Sequence, residues 1–206
     1  MATKLCPTKV FGHPRCGNHF LAAALTLNFW PHEWPSYSAR FYSNNHASAE
    51  FMRPRVKAHP NWHFFYITRE WEGLAEDLWL MRRRWGSSAA TKEEFLAKRW
   101  KDQYQRSNNA TRVTARLKHK DGEPCFGVSR FFCGRPFTPE EFHRRHEQGW
   151  FRLAREVDNV YLVSYDELTD PIIRDGAMAL IAWRLGLEAK AEYEWPTNVG
   201  FVPAED

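Results

Sequence analysis

The feature of this sequence that most limits its fold is a handover repeated along the chain: a short β-branched and aromatic run stops at a turn residue, and a helix-period stretch takes over. Runs of the first kind at residues 9–12, 55–58, 63–68 and 160–164 predict strands. Stretches of the second kind at 18–28, 72–85, 92–105, 139–157 and 171–187 predict helices. Strands separated by helices pair most readily in parallel, because a parallel pair needs a crossover and a helix supplies it. The expectation is an α/β fold with a mostly parallel central sheet covered on both faces. The pattern changes between residues 106 and 137, where TRVTARLKHK, Asp121-Gly122 and EPCFGVSRFF predict an inserted β-hairpin and an aromatic loop region.

Length and composition narrow the class. The chain has 206 residues, which suits one domain spanning 1–206. Hydrophobic residues make up 43% and aromatics 16%, with ten Trp, so a substantial core is expected and disorder is not. A net charge of +4 suits an anionic small ligand and is too low for a nucleic-acid coat. The basic stretch from Lys98 to Lys120 carries few aromatics and no nucleic-acid-binding motif, so no nucleic-acid partner is expected. No apolar run is long enough for a membrane span, and MATKLCPTK lacks a signal-peptide core, which predicts a cytoplasmic protein without a membrane partner. The four cysteines, Cys6, Cys16, Cys125 and Cys133, form no CxxC pair and read as free thiols. Their spacing to His143 and His146 matches no common zinc module, and HRRH reads as a solvated basic helix face.

Chemistry concentrates in four segments. In VFGHPRCGNHF, residues 10–20, a strand ends at Gly12 and a helix begins after Gly17, so the loop presents backbone N–H groups to an anion. The phosphate-loop pattern G-x-x-x-x-G-K-[ST] is not completed, because Asn18 and His19 stand at its last two places. In RPRVKAHP, Lys57 and His59 lie two apart at a strand end and would point the same way, a cation beside a base. In FFYITRE, Arg69 follows a strand at its carboxyl end, where ligands of open α/β sheets bind. In VYLVSYDELTDP, Tyr165 follows another such strand and precedes an acidic turn.

In order and chemistry these segments resemble the sulfotransferases that use 3′-phosphoadenosine-5′-phosphosulfate (PAPS). Pro14-Arg15-Cys16-Gly17-Asn18-His19-Phe20 is similar to the family's phosphosulfate loop, and Lys57-Ala58-His59 to its KTH segment. Residues 69–77, from Arg69 to Asp77, are similar to its 3′-phosphate segment. Tyr165-Asp166-Glu167-Leu168 and Trp183-Arg184-Leu185-Gly186-Leu187 are similar to its YEDL and FLGL segments.

The resemblance implies a P-loop-type three-layer sandwich and transfer of a sulfuryl group from PAPS to a hydroxyl or amine, without a metal. It implies His59 as general base, with Arg15 and Lys57 stabilising the leaving phosphate. It implies a PAPS site built from residues 14–20, Arg69, Asp77 and Tyr165. Phe131, Phe132 and Phe137 would wall a small, aromatic or apolar hydroxylated acceptor. Asp77 stands where the family carries Ser, and Asn18 and His19 replace a hydroxyl pair. A small-molecule or nucleotide kinase of related fold, or a non-catalytic nucleotide-binding relative, is the alternative. Nothing in the sequence names the acceptor or the oligomeric state.

Overall fold

The computed structural model describes residues 8–13, 15–29, 46–82, 87–98 and 138–197. In chain order these form β1 (Thr8–Gly12), α1 (Asn18–Phe29), α2 (Ala49–Ala58), β2 (His63–Thr68), α3 (Trp71–Leu80), α4 (Lys92–Ala97), α5 (Pro139–Glu156), β3 (Val160–Ser164), α6 (Tyr165–Thr169) and α7 (Arg174–Arg184). The chain is α/β. The insert expected at 106–137, with its phenylalanines and with Cys125 and Cys133, lies outside the described residues, as do Cys6 and Pro14.

The three strands form one sheet in the order β1-β2-β3, parallel throughout. Thr8 pairs with His63 and Gly12 with Ile67, while Phe64 pairs with Val160 and Thr68 with Ser164. All three strands therefore run out at one edge of the sheet, at Gly12, Thr68 and Ser164. In the middle strand Phe64, Phe65, Tyr66 and Ile67 are all fully buried, as a central parallel strand covered on both faces requires.

The residues expected as a strand at 55–58 belong instead to helix α2. Ala49, Met52 and Val56 are buried at spacings of three and four, a helical period where a strand would show alternation. Pro54 lies inside this helix, and its missing N–H is what makes the segment read as broken. The helix expected at 72–85 ends at Leu80, where Arg82 donates from Nη1 to the Trp79 carbonyl at 3.1 Å and stacks on the Trp79 ring. The stretch expected as one helix from 171 is divided between a turn and α7, and α6 precedes it as a separate short helix.

Two compact units are distinguished. One comprises Met1–His46, Arg53–Arg69 and Phe151–Val202, and holds the sheet. Its buried residues include Phe11 and Phe64, stacked at 6.3 Å, Leu21 and Leu25 of α1, and Met178 and Ile181 of α7. The segment after α7 is tied to α1 by Asn28. This buried side chain donates to the Glu194 carbonyl at 2.8 Å and accepts the Glu194 N–H at 2.9 Å, while Tyr193 meets Phe29 edge-on.

The other unit comprises Ala47–Met52, Glu70–Trp150 and Pro203–Asp206. Trp150, fully buried, donates from its indole to the Ala47 carbonyl at 3.1 Å. Helix α5 opens with a reciprocal cap in which Thr138 Oγ1 accepts from Glu141 N at 3.2 Å and Glu141 Oε2 accepts from Thr138 N at 3.1 Å, with Pro139 as its first residue. The solvated face expected for HRRH is only half correct. Arg144 and Arg145 are exposed, but His143 and His146, three apart, point inward, His143 against Trp71 and His146 against Phe142.

Candidate anion-binding loop at the carboxyl edge of the sheet

Gly12 ends β1 under tight constraint. A Cβ there would stand 2.3 Å from Asn18 Oδ1 and 2.7 Å from Ile67 Cγ2, so a side chain at 12 would collide with the loop and the next strand. The Gly12 carbonyl accepts from Asn18 Nδ2 at 3.2 Å and lies 2.9 Å from His46 Nδ1. Burial pushes His46 down to about 4, outweighing the Gly12 hydrogen bond that raises it, and His19 lowers it further. The ring is therefore neutral at neutral pH, and the tautomer carrying the proton on Nδ1 donates to Gly12.

The loop turns at Arg15, held at φ 72°, where non-glycine residues are rare. Its closing bond runs from Cys16 N to the His13 carbonyl at 3.0 Å. Gly17 follows at φ 91°, and a Cβ on it would fall 2.2 Å from Tyr165 Cδ2. Glycine is thus required at 17 twice, by its backbone and by the ring packed on it. The Gly17 carbonyl accepts the Leu21 N–H at 3.0 Å, so α1 starts here and the first N–H groups of that helix open toward the loop.

Arg69, just past the end of β2, donates from Nη1 to the Arg15 carbonyl at 2.9 Å and lies with its guanidinium 4.6 Å over the Tyr165 ring. Tyr165 meets Phe20 edge-on at 6.0 Å, and Phe20 stacks on Trp195 at 6.0 Å. One connected group therefore fixes the loop: Arg69 grips its carbonyl, and Tyr165 fills the space over Gly17. Two guanidinium groups beside a helix start make the place electropositive, since the dipole adds roughly half a positive charge. His19, on the first turn of α1 and exposed, is lowered below its ordinary value by desolvation and then by Arg15.

The structure thus brings together Arg15, Cys16, Gly17, Asn18, His19, Phe20, Arg69 and Tyr165. Their jobs differ from the expectation in places. Asn18 is buried and turned to Gly12, and Cys16 is fully buried in the loop. Asp77 lies on α3, half-buried, with its carbonyl accepting the Met81 N–H at 3.1 Å.

Lys57 and His59 are not part of this cluster. His59 follows α2 and precedes β2, so it sits at the amino edge of the sheet. Its carbonyl accepts from Asn159 Nδ2 at 2.9 Å, just before β3 begins, and its ring stacks on Trp62 at 4.3 Å. A strand the length of β2 separates the two edges, on the order of 16 Å at 3.3 Å per residue. Lys57 pairs with Glu156 at 3.6 Å, beside the Arg53–Glu156 pair. The expectation that Lys57 and His59 share a site with Arg15 is therefore corrected: it rested on a strand at 55–58, and the segment is a helix entering the sheet from its other end.

Residues the sequence did not single out complete the loop's support: His46, which precedes α2, and Trp195, which stacks on Phe20 and whose indole donates to Asp175 Oδ1 at 2.8 Å. Only their spacing in three dimensions reveals them, since no local motif contains them. Among the described residues no helix is long and apolar enough to cross a membrane. Comparison with protein-family models, with curated proteins and with solved structures found no match to this chain.

Proposed function

We propose that this chain is a sulfuryl-transfer enzyme of the PAPS-dependent type, built on a P-loop-type sandwich whose anion loop is residues 13–19. One observation carries the reading: Arg15 stands in a left-handed turn at the start of α1 with its carbonyl gripped by Arg69, so backbone donors and two cations converge on a single place. The acceptor oxygen attacks the sulfur, the bond from sulfur to the 5′-phosphate oxygen breaks, and Arg15 with the first N–H groups of α1 takes up the charge that develops on that oxygen. The acceptor's proton goes to an imidazole on the same side of the sheet. His19 fits, being exposed on the first turn and kept neutral by its surroundings, whereas His59 is at the opposite edge.

The test is calorimetry with 3′-phosphoadenosine-5′-phosphate, paired with a transfer assay using labelled PAPS and a panel of hydroxylated acceptors. Binding of the nucleotide in the micromolar range, weakened about tenfold or more by Arg15→Ala, is expected. Failure to bind it at millimolar concentration overturns the reading. Binding and turnover of magnesium ATP would assign the loop to a kinase, and nucleotide binding without transfer to any acceptor would assign it to a non-catalytic relative.

A further inference from the structure

Helix α7 is apolar on two opposite sides. Met178, Ile181 and Ala182 are buried against the rest of their unit. At 100° per residue, Gly176, Leu180 and Trp183 lie in one stripe on the other side, and Ile173 caps the helix just before it. That stripe is open: Leu180 is 56% exposed and Trp183 64%, and a Cβ on Gly176 would meet nothing within 4 Å. Ile173 is 47% exposed, and Ile172, in the turn before α7, is 88% exposed. A surface helix ordinarily turns polar residues to water, and one that is apolar on both sides is covered on both sides.

The order of residues along the stripe says what covers it. Gly176 and Trp183 lie equally far from the midpoint between Ala179 and Leu180, one a hole and the other a knob. We propose that a second copy of this chain packs its own α7 antiparallel on this face, about a two-fold axis through that midpoint. Each Trp183 then lies level with Gly176 of the second copy and fills the space above it, and the two Leu180 side chains meet near the axis. A two-fold contact must be self-complementary, and this stripe is. The knob is also braced in advance: the Arg184 guanidinium lies 4.8 Å from the Trp183 ring and 5.4 Å from the Tyr161 ring. Less side-chain freedom is then lost when the indole is buried.

Sedimentation of the full chain tests this. The 24.3 kDa chain is expected to sediment as a dimer at tens of micromolar. Gly176→Trp sets two indoles against each other and Trp183→Gly leaves the holes empty, so each variant alone is expected to be monomeric. Mixed in equal amounts, the two are expected to form a heterodimer, because every Trp then faces a Gly; the doubly exchanged chain is expected to dimerise with itself. Leu180→Lys is a third variant at an exposed position, expected to be monomeric with an unchanged circular dichroism spectrum. A wild-type chain that stays monomeric, a dimer indifferent to the single substitutions, or single variants that fail to pair when mixed would each overturn the proposal.

Discussion

His46 shows how one side chain can tie the loop to pH. Its ordinary value is 6.5 and its folded value is about 4, so between these the unfolded chain takes a proton that the folded chain refuses. Stability is accordingly full above about 6.5, falls as pH drops toward about 4, and levels off below, with a total of roughly 3 kcal/mol for a shift of this size. His19, lowered by desolvation and then by Arg15, and His63, half-buried and lowered by desolvation, add slope of the same sign. His46→Asn keeps a donor for the Gly12 carbonyl and removes the titration. Urea unfolding at a pH of about 7 and of about 4 should give a smaller difference for this variant than for the wild type; an identical difference would place the pH dependence elsewhere. Nothing in the sequence around His46 announces this role, because its partner Gly12 is 34 positions away.

Among the elements, those with their signals written locally were the ones the sequence made legible. The strands at 63–68 and 160–164 agree with β2 and β3 to the residue, since continuous apolar runs between turn residues admit few other readings. Helix α5 starts where Thr138-Pro139-Glu140-Glu141 says it should. Thr138→Ala removes one half of its reciprocal cap and is expected to cost about 1 kcal/mol, read as a lower denaturation midpoint at unchanged slope. Retention of the wild-type midpoint would mean that Glu141 and water cap the helix without the hydroxyl. Helix α2 was illegible for an equally physical reason. Its Pro54 and the β-branched Val56 argue locally against a helix, and the burial of Ala49, Met52 and Val56 along one face decides otherwise. The same conflict concealed which histidine lies near the loop.

Across the whole molecule, the parallel sheet sorts function by edge. The three strands deliver Arg15, Arg69 and Tyr165 to the carboxyl edge because all run the same way, and this much was readable from alternation alone. What alternation does not give is which connecting residues sit at the other edge, and there His59 has a packing role. His59→Ala removes a ring stacked on Trp62 and is expected to lower stability by about 1 kcal/mol. Affinity for 3′-phosphoadenosine-5′-phosphate should be unchanged; a marked loss of affinity without loss of stability would return His59 to the site.

The paired bonds of Asn28 to Glu194 make that amide a strand of one residue, offering one donor and one acceptor to a passing backbone. Two residues before Glu194, Glu192 is exposed, and one residue after it Trp195 rests on Phe20 at the foot of the loop. The segment is therefore tied to α1 at its last turn and at its first, and Trp195 ties it as well to the start of α7 through Asp175. A pull on the chain beyond residue 195 reaches Trp195 first, and is shared between the first turn of α1 and the start of α7 before it reaches Asn28.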